Sequence, residues 1–190
     1  MKRLVVLSDT HEDDIALELF MDCLKGMEID SIIHLGDYFD DARVLKEKGF
    51  NLVQVPGTWD ESYYRDAGVL NRKSIEVEKW RIFLSHTPES HYNDRHDDPK
   101  PEHVLEKSEA DIFLFGHTHL AGIHRRNGTI LINPGHLNSY EGRGCPLTYA
   151  IIDIDENSLD VNILQLPENV VRIRKKFRKM PEEGITEINI

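Results

Sequence analysis

The sequence predicts an α/β fold, a mixed sandwich of β-sheets with outer helices. Three observations point there. Short β-branched or aliphatic runs recur, each followed at once by Gly, Asp or His: "LVVLSDTH" (4–11), "SIIHLGD" (31–37), "NLVQVPGTWD" (51–60), "RIFLSH" (81–86), "IFLFGHTH" (112–119) and "ILINPGH" (130–136). Apolar runs of this length suit strands buried on both faces. Helical stretches alternate with them. Two later hairpin patterns make the C-terminal half lean antiparallel.

The first helical stretch, "DDIALELFMDCLKGM" (13–27), carries Ile15, Leu19 and Leu24 close to helical spacing, with Asp13 and Asp14 as start signals. "DARVLKEKG" (41–49) reads as a shorter helix closed by Gly49, and "PKPEHVLEKSEA" (99–110) as a third with Pro101 near its first turn. "AGIHRRNGTILIN" reads as a hairpin turning at Asn127-Gly128. "LTYAIIDIDENSLDVNILQL" reads as a second, turning at 155–158. Residues 1–166 are expected to form one domain, and 167–190 a basic C-terminal extension.

The chain has 190 residues, 39% hydrophobic and 30% charged, enough for one compact domain and short for two. Met1-Lys2-Arg3 runs straight into an apolar stretch ending in a carboxylate, which does not read as a signal peptide. No apolar run approaches the roughly 20 residues of a membrane helix. Cys23 and Cys145 make no CxxC, so a reduced, cytoplasmic protein is expected. A net charge of -11 argues against a broad binder of nucleic acid. It does not exclude a small phosphorylated substrate, because a local cation reverses the field at one site.

In open α/β sheets, ligands sit beyond the carboxyl ends of the strands. There this chain repeatedly places metal-ligand residue types. Asp9 and His11, spaced i, i+2, follow the first run, and strand alternation would send both to one side. His117 and His119 repeat the device. Gly36 precedes Asp37 and leaves room for close approach to the backbone. His86 ends another run. This mixed carboxylate–imidazole set suits Mn, Fe, Zn, Ni or Co better than Mg or Ca. Six such groups are too many for one ion with an open position, and about right for two ions bridged by a carboxylate. His34, inside a strand run, reads as a structural histidine.

The motifs "DTH" (9–11), "GD" (36–37), "GTWD" (57–60), "SH" (85–86), "GHTH" (116–119) and "NPG" (133–135) stand in an order that resembles the calcineurin-like metallophosphoesterase superfamily. The spacing is most similar to its small bacterial and archaeal phosphodiesterase branch, relatives of the retromer scaffold subunit. The resemblance implies a four-layer sandwich of two mixed β-sheets flanked by helices. It also implies a dinuclear site of two divalent ions, Mn first among them. By position, Asp9, His11 and His119 match ligands of one ion, and His86 and His117 ligands of the other, with Asp37 as the bridge. The implied reaction is hydrolysis of a small phosphoester by a hydroxide held between the ions. The implied alternative is a metal-binding protein-interaction scaffold of the same fold.

The chain departs from the family pattern at 57–60, where relatives usually carry Gly-Asn, then His or Cys, then Asp or Glu. Thr58 replaces an Asn whose amide oxygen ligates the second ion. Either its hydroxyl ligates weakly, or a water or substrate oxygen fills the gap, or the second site is weakened. Trp59 replaces a proton-donating His and cannot give up a proton at neutral pH. Its ring is expected to wall the site or to stack on a base or aromatic leaving group. His136 and Asp60 are the candidates for protonating the leaving group. Arg143, in "YEGRGCP", has two even readings, a phosphate contact or a surface arginine. The polar loop after His86, "TPESHYNDRHDDPKP", is read as a lid, with His91 and His96 more at home in solvent than in chemistry. The tail "VVRIRKKFRKM" packs six basic residues into 172–179. It is read first as an element laid over an acidic body, anchored by Val171, Ile173 and Phe177. Contact with phosphate or nucleic acid is the second reading, and a subunit contact in a homo-oligomer the third.

Overall fold

The computed structural model describes residues 1–140, 144–180, 182 and 184–188. Its elements begin β1 (Lys2–Leu7), α1 (Asp14–Cys23), β2 (Ser31–His34), α2 (Arg43–Glu47), β3 (Leu52–Gln54) and α3 (Glu61–Arg65). Next come β4 (Arg72–Val77), β5 (Trp80–Ser85), α4 (Pro101–Glu106), β6 (Ile112–Leu114), β7 (Gly122–Arg126) and β8 (Thr129–Asn133). The chain ends in β9 (Thr148–Ile154), β10 (Ser158–Gln165), β11 (Val170–Met180) and β12 (Gly184–Ile188).

Two mixed sheets result. One has seven strands in the order β12-β11-β10-β9-β1-β2-β3, the other five in the order β4-β5-β6-β8-β7. In the larger sheet β1, β2 and β3 are mutually parallel; in the smaller, β5, β6 and β8 are. Alternation along β1 explains the layering. Leu4 and Val6 face the second sheet across the central core, while Val5 and Leu7 face the helices. Phe20 of α1 and Leu45 of α2 pack on that outer face. On the far side Phe83 and Phe113 carry Val104 and Leu105 of α4. Helices, sheet, sheet and helix make the four layers.

Several elements differ from expectation. The buried stripe of α1 is Ala16, Leu17, Phe20 and then Leu24, whereas Ile15 is exposed. Asp13, the N-cap, accepts from Ala16 N at 2.9 Å and sets this rotation. The first helix ends at Cys23 rather than 27, and the other two are likewise shorter than their sequence signals. Strand β4 and helix α3 had no clear sequence signal. β4 reads "RKSIEV", and its hairpin to β5 turns at Glu78 (φ 50°) and Lys79 (φ 67°), without the Gly or Asn that marks such turns. The hairpin at Asn127-Gly128 does use those residues at positive φ.

Beyond 166 the chain lies in the larger sheet: β11 pairs with β10 from Ser158↔Arg178 to Gln165↔Val170. Of its expected anchors, Phe177 is fully buried in the central core and Ile173 packs against it. Val171 is exposed, because a register shift between Ile163 and Leu164 breaks the alternation and pairs Val171 with Leu164, off the inner face that Ile173 and Phe177 share. The basic residues are largely paired in place: Arg174 and Lys176 with Asp160, Lys175 with Glu187, Lys179 with Asp111.

Candidate metal centre

The motif residues lie on loops that leave the carboxyl ends of β1, β2, β3, β5, β6 and β8. Strand alternation is not what brings Asp9 and His11 together, because β1 ends at Leu7. Instead Asp9 (φ 56°), His11 (47°), Asp37 (56°), His117 (64°) and His119 (60°) all adopt left-handed backbone. That conformation costs a non-glycine residue on the order of 1–3 kcal/mol and clusters at functional sites. The loops must also touch. A Cβ on Gly57 would sit 2.0 Å from Asp37 N, and one on Gly116 would sit 1.9 Å from Ser8 Oγ and 2.6 Å from Asp9 Oδ2.

Two groups of side chains form as a result. Asp9, His11 and His119 offer ligand atoms within 4.8 Å of one another, and so do Asp37, His86 and His117. Asp9 Oδ1 lies 3.2 Å from His119 Nε2 and 4.0 Å from His11 Nε2. Asp37 Oδ2 lies 3.2 Å from His86 Nε2 and 3.7 Å from His11 Nε2. Each carboxylate has its other oxygen held by backbone: Asp9 Oδ2 accepts from His117 N at 3.0 Å, Asp37 Oδ1 from Trp59 N at 3.0 Å.

These residues fit divalent cations. Asp9 Oδ1, His11 Nε2 and His86 Nε2 are buried without a well-directed hydrogen bond, a state disfavoured unless something else binds them. His86 Nδ1 donates to Leu35 O at 2.8 Å, which leaves Nε2 as the ligating nitrogen in the neutral ring. Without a cation the ring keeps its proton. Burial pushes His86 down, but the Asp37 carboxylate 3.2 Å away and the Asp9 charge outweigh it and raise the pKa to about 9. Burial pushes Asp37 up, yet His86 and the Trp59 N–H hold it at about 2. Asp9 is likewise pushed up by burial and pulled below its ordinary value by His119 and His86. A binding cation would displace the His86 proton.

The remaining expected site residues fall nearby in different roles. Thr58 Oγ1 lies 3.5 Å from Asp37 Oδ1, at the limit of a hydrogen bond, beside the second group. Trp59 is 68% exposed, its ring edge-on to His11 with centroids 6.2 Å apart. Asp60 does not face the groups: it accepts from Phe39 N at 2.9 Å and Gly57 N at 2.7 Å, tying two site loops together. His136 is buried behind His119, the rings stacked at 5.0 Å, and burial lowers its pKa. Arg143 lies outside the described residues. His34 is buried beneath the loops and pushed down to about 4 by burial, so it is neutral. Asn133 accepts from Gly135 N and donates to Gly116 O, shaping the turn and bracing the histidine loop.

Sequence reasoning missed the anchoring of the loop after His86. Arg72 of β4, its side chain fully buried, donates to Ser85 Oγ, Thr87 Oγ1, Pro99 O and both oxygens of Asp94. Asp94 in turn accepts from His91 N, and the His91 ring comes within 6.1 Å of that of His117. An arginine opening an unmarked strand gave no sign of this. A cavity of about 530 Å³ at the opposite strand ends is lined by Arg81, Asp111 and Lys179, charges already paired with one another.

A sandwich of two mixed sheets with grouped carboxylates and imidazoles at its strand ends defines a metallophosphoesterase-type domain. The model of the calcineurin-like phosphoesterase superfamily domain matches residues 1–157, and the chain belongs to that superfamily. It is 27% identical over 173 residues to a probable metallophosphoesterase of Methanothermobacter thermautotrophicus, covering 88% of this chain and 94% of that one. A predicted phosphoesterase from Streptococcus pneumoniae TIGR4 shares the fold, with TM-score 0.69 at 24% identity over 94% of this chain and 98% of that one. So does vacuolar protein sorting 29 from Cryptosporidium parvum, with TM-score 0.73 at 18% identity over 94% and 98%. No helix among the described residues is long and apolar enough to cross a membrane.

Proposed function

We propose that the chain is a metal-dependent phosphoesterase acting on a small phosphoester at two divalent cations. Asp9, His11 and His119 would hold one, His86 and His117 the other, with Asp37 shared. The observation that supports this is the placing of Asp37 Oδ2, 3.2 Å from a nitrogen of one group and 3.7 Å from a nitrogen of the other. The mixed carboxylate–imidazole donor set suits Mn, Ni, Fe, Zn or Co, and the family resemblance puts Mn first. Bound cations would supply a nucleophilic water and neutralise charge developing at phosphorus.

The chain's own residues orient and exclude. Leu35 O fixes the His86 tautomer, and Trp59 N–H fixes the Asp37 carboxylate. No proton donor faces the leaving group from the expected positions. Trp59 has none to give, both Asp60 oxygens accept from backbone, and His136 lies behind His119. General-acid help is worth about 10²–10⁴ in rate. With no proton from these three side chains, nitrophenyl esters should turn over faster than alkyl esters by a factor in that range. The free Cys23 and Cys145 fit a reducing, cytoplasmic setting.

A second reading, a metal-binding scaffold for protein partners, is favoured by the fold likeness to vacuolar protein sorting 29 and by Trp59. One preparation tests both. Bound metal per chain is measured, then hydrolysis of bis(4-nitrophenyl) phosphate by the Mn-loaded protein. Bound metal with turnover that Asp37→Asn abolishes supports the esterase. Stoichiometric metal with no turnover, unchanged in Thr58→Asn/Trp59→His, favours the scaffold.

A further inference from the structure

Two aromatic side chains stand in solvent at the rim of the metal centre. Trp59 is 68% exposed and Tyr92 89% exposed. Solvated aromatic surface is ordinary when scattered, but here it is attached to the site. The Trp59 backbone N–H is bound to Asp37, and its indole meets the His11 ring edge-on. Tyr38 meets the same imidazole from another angle, with centroids 5.3 Å apart. On the other side Tyr92 lies 4.2 Å from the ring of His91, which itself approaches His117.

The two sides are joined. Asn93 Nδ2 donates to Thr58 O at 3.3 Å, so Tyr92 and Trp59 flank a direct bridge between their loops. The loop carrying Tyr92 is held from below. Arg72 grips Asp94, and Asp98 accepts from Arg95 N at 2.8 Å and Asn71 Nδ2 at 2.7 Å. The loops of the rim are thus braced by hydrogen bonds, so that binding there would order chiefly the two exposed rings.

We infer that Trp59 and Tyr92 form a stacking clamp for the planar group of a small phosphoester, a nucleobase or aryl ring. The inference rests on the metal-centre reading for the phosphate and adds the class of the organic part. Aromatic faces stack on any flat ring, at about 1–3 kcal/mol per base. A long nucleic acid is disfavoured by the net charge of -11 and by the pairing of four tail cations within the chain.

The test compares two probes with the same phosphate, adenosine 5′-monophosphate and ribose 5-phosphate, by calorimetry on the Mn-loaded chain. The nucleotide is expected to bind about tenfold tighter. Trp59→Ala and Tyr92→Ala should each erode that ratio, and Trp59→Phe should retain most of it. Trp80, buried with its Nε1 on Asp155 O, is the remaining tryptophan and reports folding of Trp59→Ala by its emission. In the wild type the nucleotide should also quench the exposed Trp59.

Equal affinity for the two probes, an undiminished ratio in the double alanine variant, or no binding of either probe overturns the clamp. The outcomes separate the two proposals. A chain that hydrolyses bis(4-nitrophenyl) phosphate without preferring the nucleotide keeps the esterase and loses the clamp. One that prefers the nucleotide but hydrolyses nothing does the reverse.

Discussion

At the scale of single residues, the geometry of the candidate centre depends on groups outside the two ligand sets. Gly116 is one. Its missing Cβ is the space occupied by Ser8 Oγ and Asp9 Oδ2, and Asp9 Oδ2 also receives the His117 N–H. Gly116→Ala should push Asp9 out of register with His119 while leaving the central core intact. Lost support of a ligand typically costs about 10–100-fold in metal affinity. A metal titration beside a thermal melt checks this; unchanged affinity would mean that the loop relaxes around the methyl. Asp60 works in the same indirect way, holding Phe39 N and Gly57 N so that the two loops flanking Asp37 keep their approach.

At the scale of elements, the ends of the strands divide the labour. Carboxyl ends carry the candidate metal-ligand residues, and the opposite ends carry a clamp centred on Asp111. It accepts from Arg81 N at 2.8 Å, from the Arg81 guanidinium at 2.9 Å and from Lys179 Nζ at 2.7 Å, joining β5, β6 and β11. Burial pushes the Asp111 pKa up, and the Arg81 and Lys179 hydrogen bonds outweigh it, so the folded value is below the ordinary one. Its stabilisation is therefore complete above the unfolded pKa of about 3.9 and is lost as pH falls through the lower folded value. Arg81 is half-exposed, which screens part of the gain. Asp111→Asn should cost about 1–2 kcal/mol at neutral pH. Urea midpoints should converge with wild type in acid, and metal affinity should not change. A difference that persists once the carboxyl is protonated would refute the charge argument.

At the scale of the whole molecule, the C-terminal strands belong to the sandwich. Phe177 of β11 is fully buried among residues from both sheets, and β11 covers the flank of β10. Truncating a buried Phe costs about 3–5 kcal/mol, so Phe177→Ala should lower the melting temperature sharply. A chain cut after Leu166 should lose solubility for the same reason, since the face of β10 would be bared. Stable, soluble behaviour of the cut chain in sedimentation and melting experiments would show that the core closes without the last strands.

The sequence by itself determined the class of fold, the order of the candidate ligand residues and the hairpin at Asn127-Gly128. These are carried by local signals: apolar runs buried on both faces, ligand types at strand ends, and a turn dipeptide that tolerates positive φ. It did not reveal β4, a polar strand that opens with a buried arginine and turns through Glu78 and Lys79. Nor could spacing along the chain tell that Asp60 faces backbone rather than substrate, or that Ile15 points outward. Those outcomes depend on which loops come within hydrogen-bonding distance after the sheets pack. Only the tertiary structure decided that the left-handed loops, not strand alternation, gather the ligand side chains, because contacts such as Asp9 to His117 join residues distant in sequence.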